Sequence, residues 1–198
     1  MPGLSEIIGS ITGAYLLATR DLDGYKLFNQ SIEGFWRSFA AVLLIAPFYF
    51  LFAGIELELQ SLVPTDADAE TATADTGFYA GAAVSLALSW IIYPVVMVFV
   101  SRGLGFSQHY VRYIIAFNWS SVIVVALLMI PTSAFYLGVI SIQATALFHL
   151  LFLVPVLYYH WFIAKTALET SGLIATGLVL LEFTLDMTIN KYISQILG

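Results

Sequence analysis

The chain has 198 residues, of which 60% are hydrophobic and only 10% charged. A soluble domain carries about 25% charged residues, so a water-soluble fold is excluded, and several apolar runs reach the roughly 20 residues that cross a bilayer. The net charge of −6 belongs to Glu56, Glu58, Asp66, Asp68, Glu70 and Asp75, because the remaining seven acids and seven bases cancel; no whole-protein field steers charged partners.

In chain order, residues 1–36 read as an amphipathic interfacial segment. They lack the basic start and plain apolar core of a signal peptide, so the N-terminus is expected to be retained. Leu4, Ile7, Ile8, Ile11 and Tyr15 recur at helical spacing. "DLDG" at 21–24 signals a turn, with Gly24 as the breaker. Tyr25, Phe28, Ile32, Phe35, Trp36 and Phe39 then form a second stripe. Two such pieces predict a helical hairpin, either lying on the membrane surface or packed on the inner end of the bundle. The first piece could also be a shallow or re-entrant sixth span.

Residues 37–198 read as a transmembrane bundle with spans at 37–56, 77–101, 113–131, 139–164 and 171–191. An acidic outer loop occupies 57–76. Arg102 to Arg112 form a short connection, and "PTSAFYLG" at 131–138 reads as a tight turn. The expected fold class is an all-α, polytopic five-span bundle with an amphipathic N-terminal helical hairpin. With five spans, Arg20, Lys26, Arg37, Arg102, Arg112 and Lys165 fall on one side of the membrane and only Lys191 on the other. Basic residues favour the cytoplasmic side. The N-terminus is therefore expected inside, and the C-terminus and acidic loop outside.

Polar residues within the spans are the candidate sites. Gly77, Gly81, Ser85 and Ser89 step by four along span two, and such small residues let helices approach closely in lipid. Asn118 and Ser121 share a face of span three. An amide in hydrocarbon needs partners, and Asn118 is expected to find one near Ser89 and Trp90. Pro47, Pro94 and Pro155 fall inside spans one, two and four, where neighbours can satisfy the carbonyl each one frees.

"GLVLLEFTLDMTIN" at 177–190 holds Glu182, Asp186 and Asn190 on one face. A carboxylate at the bilayer centre costs about 2.5–3.5 kcal/mol even on the lenient scale, so this face should point into the protein. His149 on span four lies about 16 Å from the outer end, a depth near that of Glu182, so a His149–Glu182 contact is expected to be possible. Three uses are open for the cluster: interhelical hydrogen bonding, a proton or cation path, or a metal site. His160 cannot join His149 on one ion, because eleven residues along a helix separate them by about 16 Å.

Other chemistry is scarce. The absence of cysteine excludes disulfides, thiolate metal sites and cysteine nucleophiles. "GLG" at 103–105 is no dinucleotide fingerprint, and the seven basic residues form no nucleic-acid patch. No enzyme activity, cofactor, resident metal or nucleic-acid partner is expected.

The five-span layout, with "SWIIYP" at 89–94 and "YIIAFNWSS" at 113–121, resembles the Yip1-domain superfamily of small membrane proteins, in particular its bacterial members. "DLDGY" at 21–25 is a faint echo of the Asp-Leu-Tyr-Gly-Pro-like motif of eukaryotic members. The resemblance implies a non-enzymatic, partner-binding protein of the bacterial inner membrane and assigns no site residues. The leading expectation is a scaffold or accessory subunit that packs with another membrane protein or with itself in the lipid bilayer. The alternative is a small proton- or cation-coupled transporter or channel using His149, Glu182 and Asp186.

Overall fold

The computed structural model describes residues 1–61 and 71–197. Seven α-helices follow one another: α1 (Leu4–Ala18), α2 (Ile32–Ser38), α3 (Ala41–Ser61), α4 (Thr71–Gly103), α5 (Tyr110–Tyr136), α6 (Ile142–Ala167) and α7 (Gly172–Leu197). No strand occurs among the described residues. The helices are long because the apolar runs are long, and in lipid a helix satisfies its backbone polar groups internally. Serines set several starts. The Oγ of Ser31 accepts from the Gly34 amide at 3.0 Å, Ser141 from Ala144 at 3.2 Å, and Ser171 from Ile174 at 3.3 Å. Each supplies a partner for an amide that the first helical turn leaves free.

Among the described residues, five stretches are long and apolar enough to cross a membrane: Ile32–Leu59, Gly77–Gly103, Ser107–Tyr136, Ile142–Ala167 and Gly172–Ile196. The protein is an integral membrane protein with an all-α bundle. The acidic loop expected at 57–76 is shorter than its sequence suggests, because residues 57–61 still belong to α3 and 71–76 already belong to α4, while residues 62–70 lie outside the described residues.

The span order in space differs from the order in the chain. Neighbour contacts run α3–α4, α4–α7, α7–α6, α6–α5 and α5–α3. The five spans therefore close into a ring, in which the last helix separates α4 from α6.

Two boundaries differ from the sequence reading. The turn expected at 131–138 begins only after Tyr136, and Pro131 lies inside α5. Proline removes one helical hydrogen bond, but a membrane offers no water to compete for the rest of the ladder. The reversal falls instead at Gly138, whose φ of +70° suits glycine. The second arm of the expected hairpin is not one helix. Leu22–Leu27 is a 3₁₀ turn, Phe28 to Ser31 is irregular, and α2 leads through a two-residue break into α3.

The N-terminal segment packs on the end of the bundle, one of the two readings offered for it. One side packs on the bundle: Ala14 and Leu17 are fully buried, and the Tyr159 hydroxyl donates to the Ala14 carbonyl at 2.6 Å. The other side leaves Leu4, Ile8, Tyr15, Ile32 and Trp36 exposed, an apolar face suited to a lipid interface. Here the basic residues gather. Arg37 bridges Glu6 at 2.7 Å and Glu33 at 2.5 Å, and Arg112 meets Glu169 at 3.0 Å. Arg20, Arg112 and Lys165 lie over the rings of Tyr158, Tyr25 and Trp161. Most of the hydrophobic core sits at this end, around Tyr25, Phe28, Met97, Tyr113, Ile163 and Leu168.

Tyr25 anchors the 3₁₀ turn through its hydroxyl, 2.7 Å from Thr166 Oγ1. Burial pushes its pKa up from 10.0 to about 12. The folded state therefore holds this proton more tightly than the unfolded chain. The resulting stabilisation is complete below pH 10 and lost as pH rises through 12, by about 2–3 kcal/mol in all. Thermal melts in detergent should show a steepening loss of stability across that window, and Tyr25→Phe should make it shallower without abolishing it. Parallel curves for the two proteins would contradict this assignment.

Candidate functional site: a cavity ringed by all five spans

Because the spans form a ring, their polar faces converge. A cavity of ≈340 Å³ lies at the centre and receives residues from every span, among them Tyr49, Ser89, Trp90, Asn118, His160, Glu182 and Asp186. That volume falls within the roughly 300–1,000 Å³ of small-molecule sites. The walls are mostly apolar and aromatic, with Phe52, Tyr93, Phe117 and Phe183 among them. Among the described residues, no lysine or arginine lines the cavity.

The central pair is His160 and Glu182, with Nδ1 and Oε1 at 2.8 Å. His160 is only 9% exposed. Each partner keeps one buried atom unpaired, Nε2 of His160 and Oε2 of Glu182, and the indole Nε1 of Trp90 is also unpaired. Buried polar atoms are normally satisfied, and three unpaired ones gather at this cavity. Asp186, one turn further along, is better provided for. Its Oδ1 accepts from Ser89 Oγ at 2.8 Å, and its Oδ2 from Asn190 Nδ2 at 3.3 Å.

A second cavity of ≈270 Å³ lies beyond the first, towards the end of the bundle away from α1. Gly77, Gly81 and Ser85 line it, with Glu56, Asn190, Lys191 and Ser194. Tyr49 and Phe52 belong to the walls of both cavities. The small-residue stripe of α4 thus opens space beside α7, and its fourth member, Ser89, holds Asp186.

The expected His149–Glu182 contact does not form. His149 Nε2 lies 3.0 Å from Thr132 Oγ1 and 3.3 Å from the Leu128 carbonyl, and its ring meets Phe52 edge-on at 5.8 Å. The error was in helix length. α6 begins at Ile142 and α7 continues to Leu197, so depths counted from 139 and 191 do not match. Counted from the short α6–α7 turn, Glu182 lies ten residues in and His160 seven. These are depths of about 15 and 10 Å. His160, set aside in the sequence reading, is the partner.

Asn118 also finds a different partner. Its Nδ2 donates to Ser38 Oγ at 2.9 Å, and both residues are buried. The bond ties α5 to the end of α2. Ser121 donates to the Phe117 carbonyl at 3.3 Å and lines the central cavity with Asn118. Below them Tyr93 and Tyr113 join hydroxyl to hydroxyl, with the Phe117 ring 4.7 Å from that of Tyr93 and tilted 34° to it. These rings floor the cavity on the side of the dense core. Among the described residues, no three His, Asp or Glu side chains lie close enough to hold a metal ion.

No family model, curated protein or solved structure matches this chain.

Proposed function

We propose that this protein moves a small solute across the membrane together with, or in exchange for, protons, and that His160 and Glu182 carry the proton. The carrying observation is the central cavity, lined by all five spans and holding that pair. Intramembrane acids and histidines facing a cavity commonly mark such paths. A carrier that alternates needs one closed end and one open end. The dense core and the tyrosine pair close the N-terminal end, while the second cavity leads away from the first at the other. In this reading the closed end faces the cytoplasm of a bacterial inner membrane, as the basic residues favour. The likeness to Yip1-domain proteins adds no residue role. A scaffold needs its small-residue face free for a partner helix, whereas Gly77, Gly81 and Ser85 line the second cavity, opposite residues of α3 and α7.

The test uses proteoliposomes holding a pH-sensitive dye and an imposed pH gradient, with small organic solutes of each charge added in turn. At least one class should dissipate the gradient faster than in protein-free liposomes. If none does so in either direction of the gradient, the transport reading fails and the accessory-subunit reading takes its place.

A further inference from the structure

The solute class is readable from the cavity, on the premise that the cavity is the transport site. Its charged and titratable groups are Tyr49 from α3, Tyr93 from α4, His160 from α6, and Glu182 and Asp186 from α7; α5 contributes none. With His160 and Glu182 paired, the Asp186 carboxylate remains without a basic counterpart. Around these acids stand Tyr49, Phe52, Trp90, Tyr93, Phe117 and Phe183. Aromatic faces attract cations through their quadrupoles, and apolar walls reject a hydrated metal ion but accept an organic one. The orphaned Oε2 of Glu182, beside a nine-tenths buried His160 whose Nε2 is also orphaned, is an acceptor without a donor.

We infer that the central cavity binds a hydrophobic organic cation, such as a bulky quaternary onium or a protonated aromatic amine. Glu182 and Asp186 supply the countercharge and the aromatic ring faces supply the walls.

Two ions of nearly the same shape and opposite charge separate this from simple greasiness. Binding of tetraphenylphosphonium and of tetraphenylborate to the full-length protein in nanodiscs is measured by equilibrium dialysis, with empty nanodiscs as the background. Saturable binding of the phosphonium, at least about tenfold tighter than that of the borate, is expected. Glu182→Gln and Asp186→Asn should each weaken it by about tenfold, and the second variant serves if the first does not fold. Equal binding of the two ions, or no saturable phosphonium binding, overturns the inference. The two readings fail separately. Phosphonium binding without any solute-driven proton movement leaves the cation site standing and removes transport. Proton movement driven by anionic or neutral solutes alone, without phosphonium binding, does the reverse.

Discussion

Glu182→Gln is expected to reduce solute-driven proton movement to the level of protein-free liposomes while leaving the protein folded. The amide is nearly isosteric with the acid and can still hydrogen-bond His160 Nδ1, now 2.8 Å from Oε1. What it cannot do is gain or lose a proton. Glutamine keeps the size and the hydrogen-bonding capacity of the side chain, so the protein should remain folded. This pairing of outcomes separates the two functional readings. If the pair were only interhelical glue, the charge-assisted bond would be its purpose, and glutamine would cost about 1–3 kcal/mol of stability with no effect on flux. Lost stability with intact flux would therefore sink the carrier reading. Asp186→Asn is the companion variant. Asp186 is held by Ser89 and Asn190, so its loss should weaken solute binding while proton movement at saturating solute persists.

The spans were legible because hydrocarbon thickness dictates helix length, and apolar runs of about twenty residues match that thickness. The ends were not. Proline followed by Thr and Ser reads as a turn in water, where solvent takes over freed backbone groups. In lipid the helix around Pro131 has no such competitor and continues to Tyr136. The same rule explains the misplaced histidine, since α7 runs past Asn190 to Leu197 although its last turns are polar. The four-residue steps of Glu182, Asp186 and Asn190 put all three on the side of α7 that lines the two cavities, although Asp186 stays exposed there. Counting from the short α6–α7 turn would have chosen His160. The ring order was beyond reach. Nothing local in α4 states that it packs against α7, the last helix, and that non-sequential contact brings Ser89 to Asp186.

A large loss of stability is expected far from the cavity, for Gly13→Val. A Cβ at Gly13 would sit 2.7 Å from the Gly24 carbonyl oxygen, 3.2 Å from Phe28 Cε1 and 3.3 Å from Leu27 Cβ. Gly24 is pressed against the Gly13 carbonyl in return. Here α1 and the 3₁₀ turn cross backbone to backbone, and a backbone oxygen cannot rotate away as a side chain can. Overpacking alone costs about 1–3 kcal/mol. If α1 lifts, the burial of Leu17 is lost as well, another 1.5–3 kcal/mol or so, along with the bond from Tyr159 to Ala14. A drop in melting temperature on the order of 10 °C is expected, at about 2–4 °C per kcal/mol for a chain of this size. Gly9→Ala is the control on the same helix, because its nearest neighbour is Leu27 O at an ordinary 3.7 Å. Equal melting curves for the two variants would mean that α1 is not docked as described. The functional consequence follows from position. α1 covers the end of the bundle where the core is densest and the tyrosine pair closes the cavity floor. Undocking it should therefore raise passive proton leak through Gly13→Val proteoliposomes, whereas a helix that merely rests on the lipid surface would leave the leak unchanged.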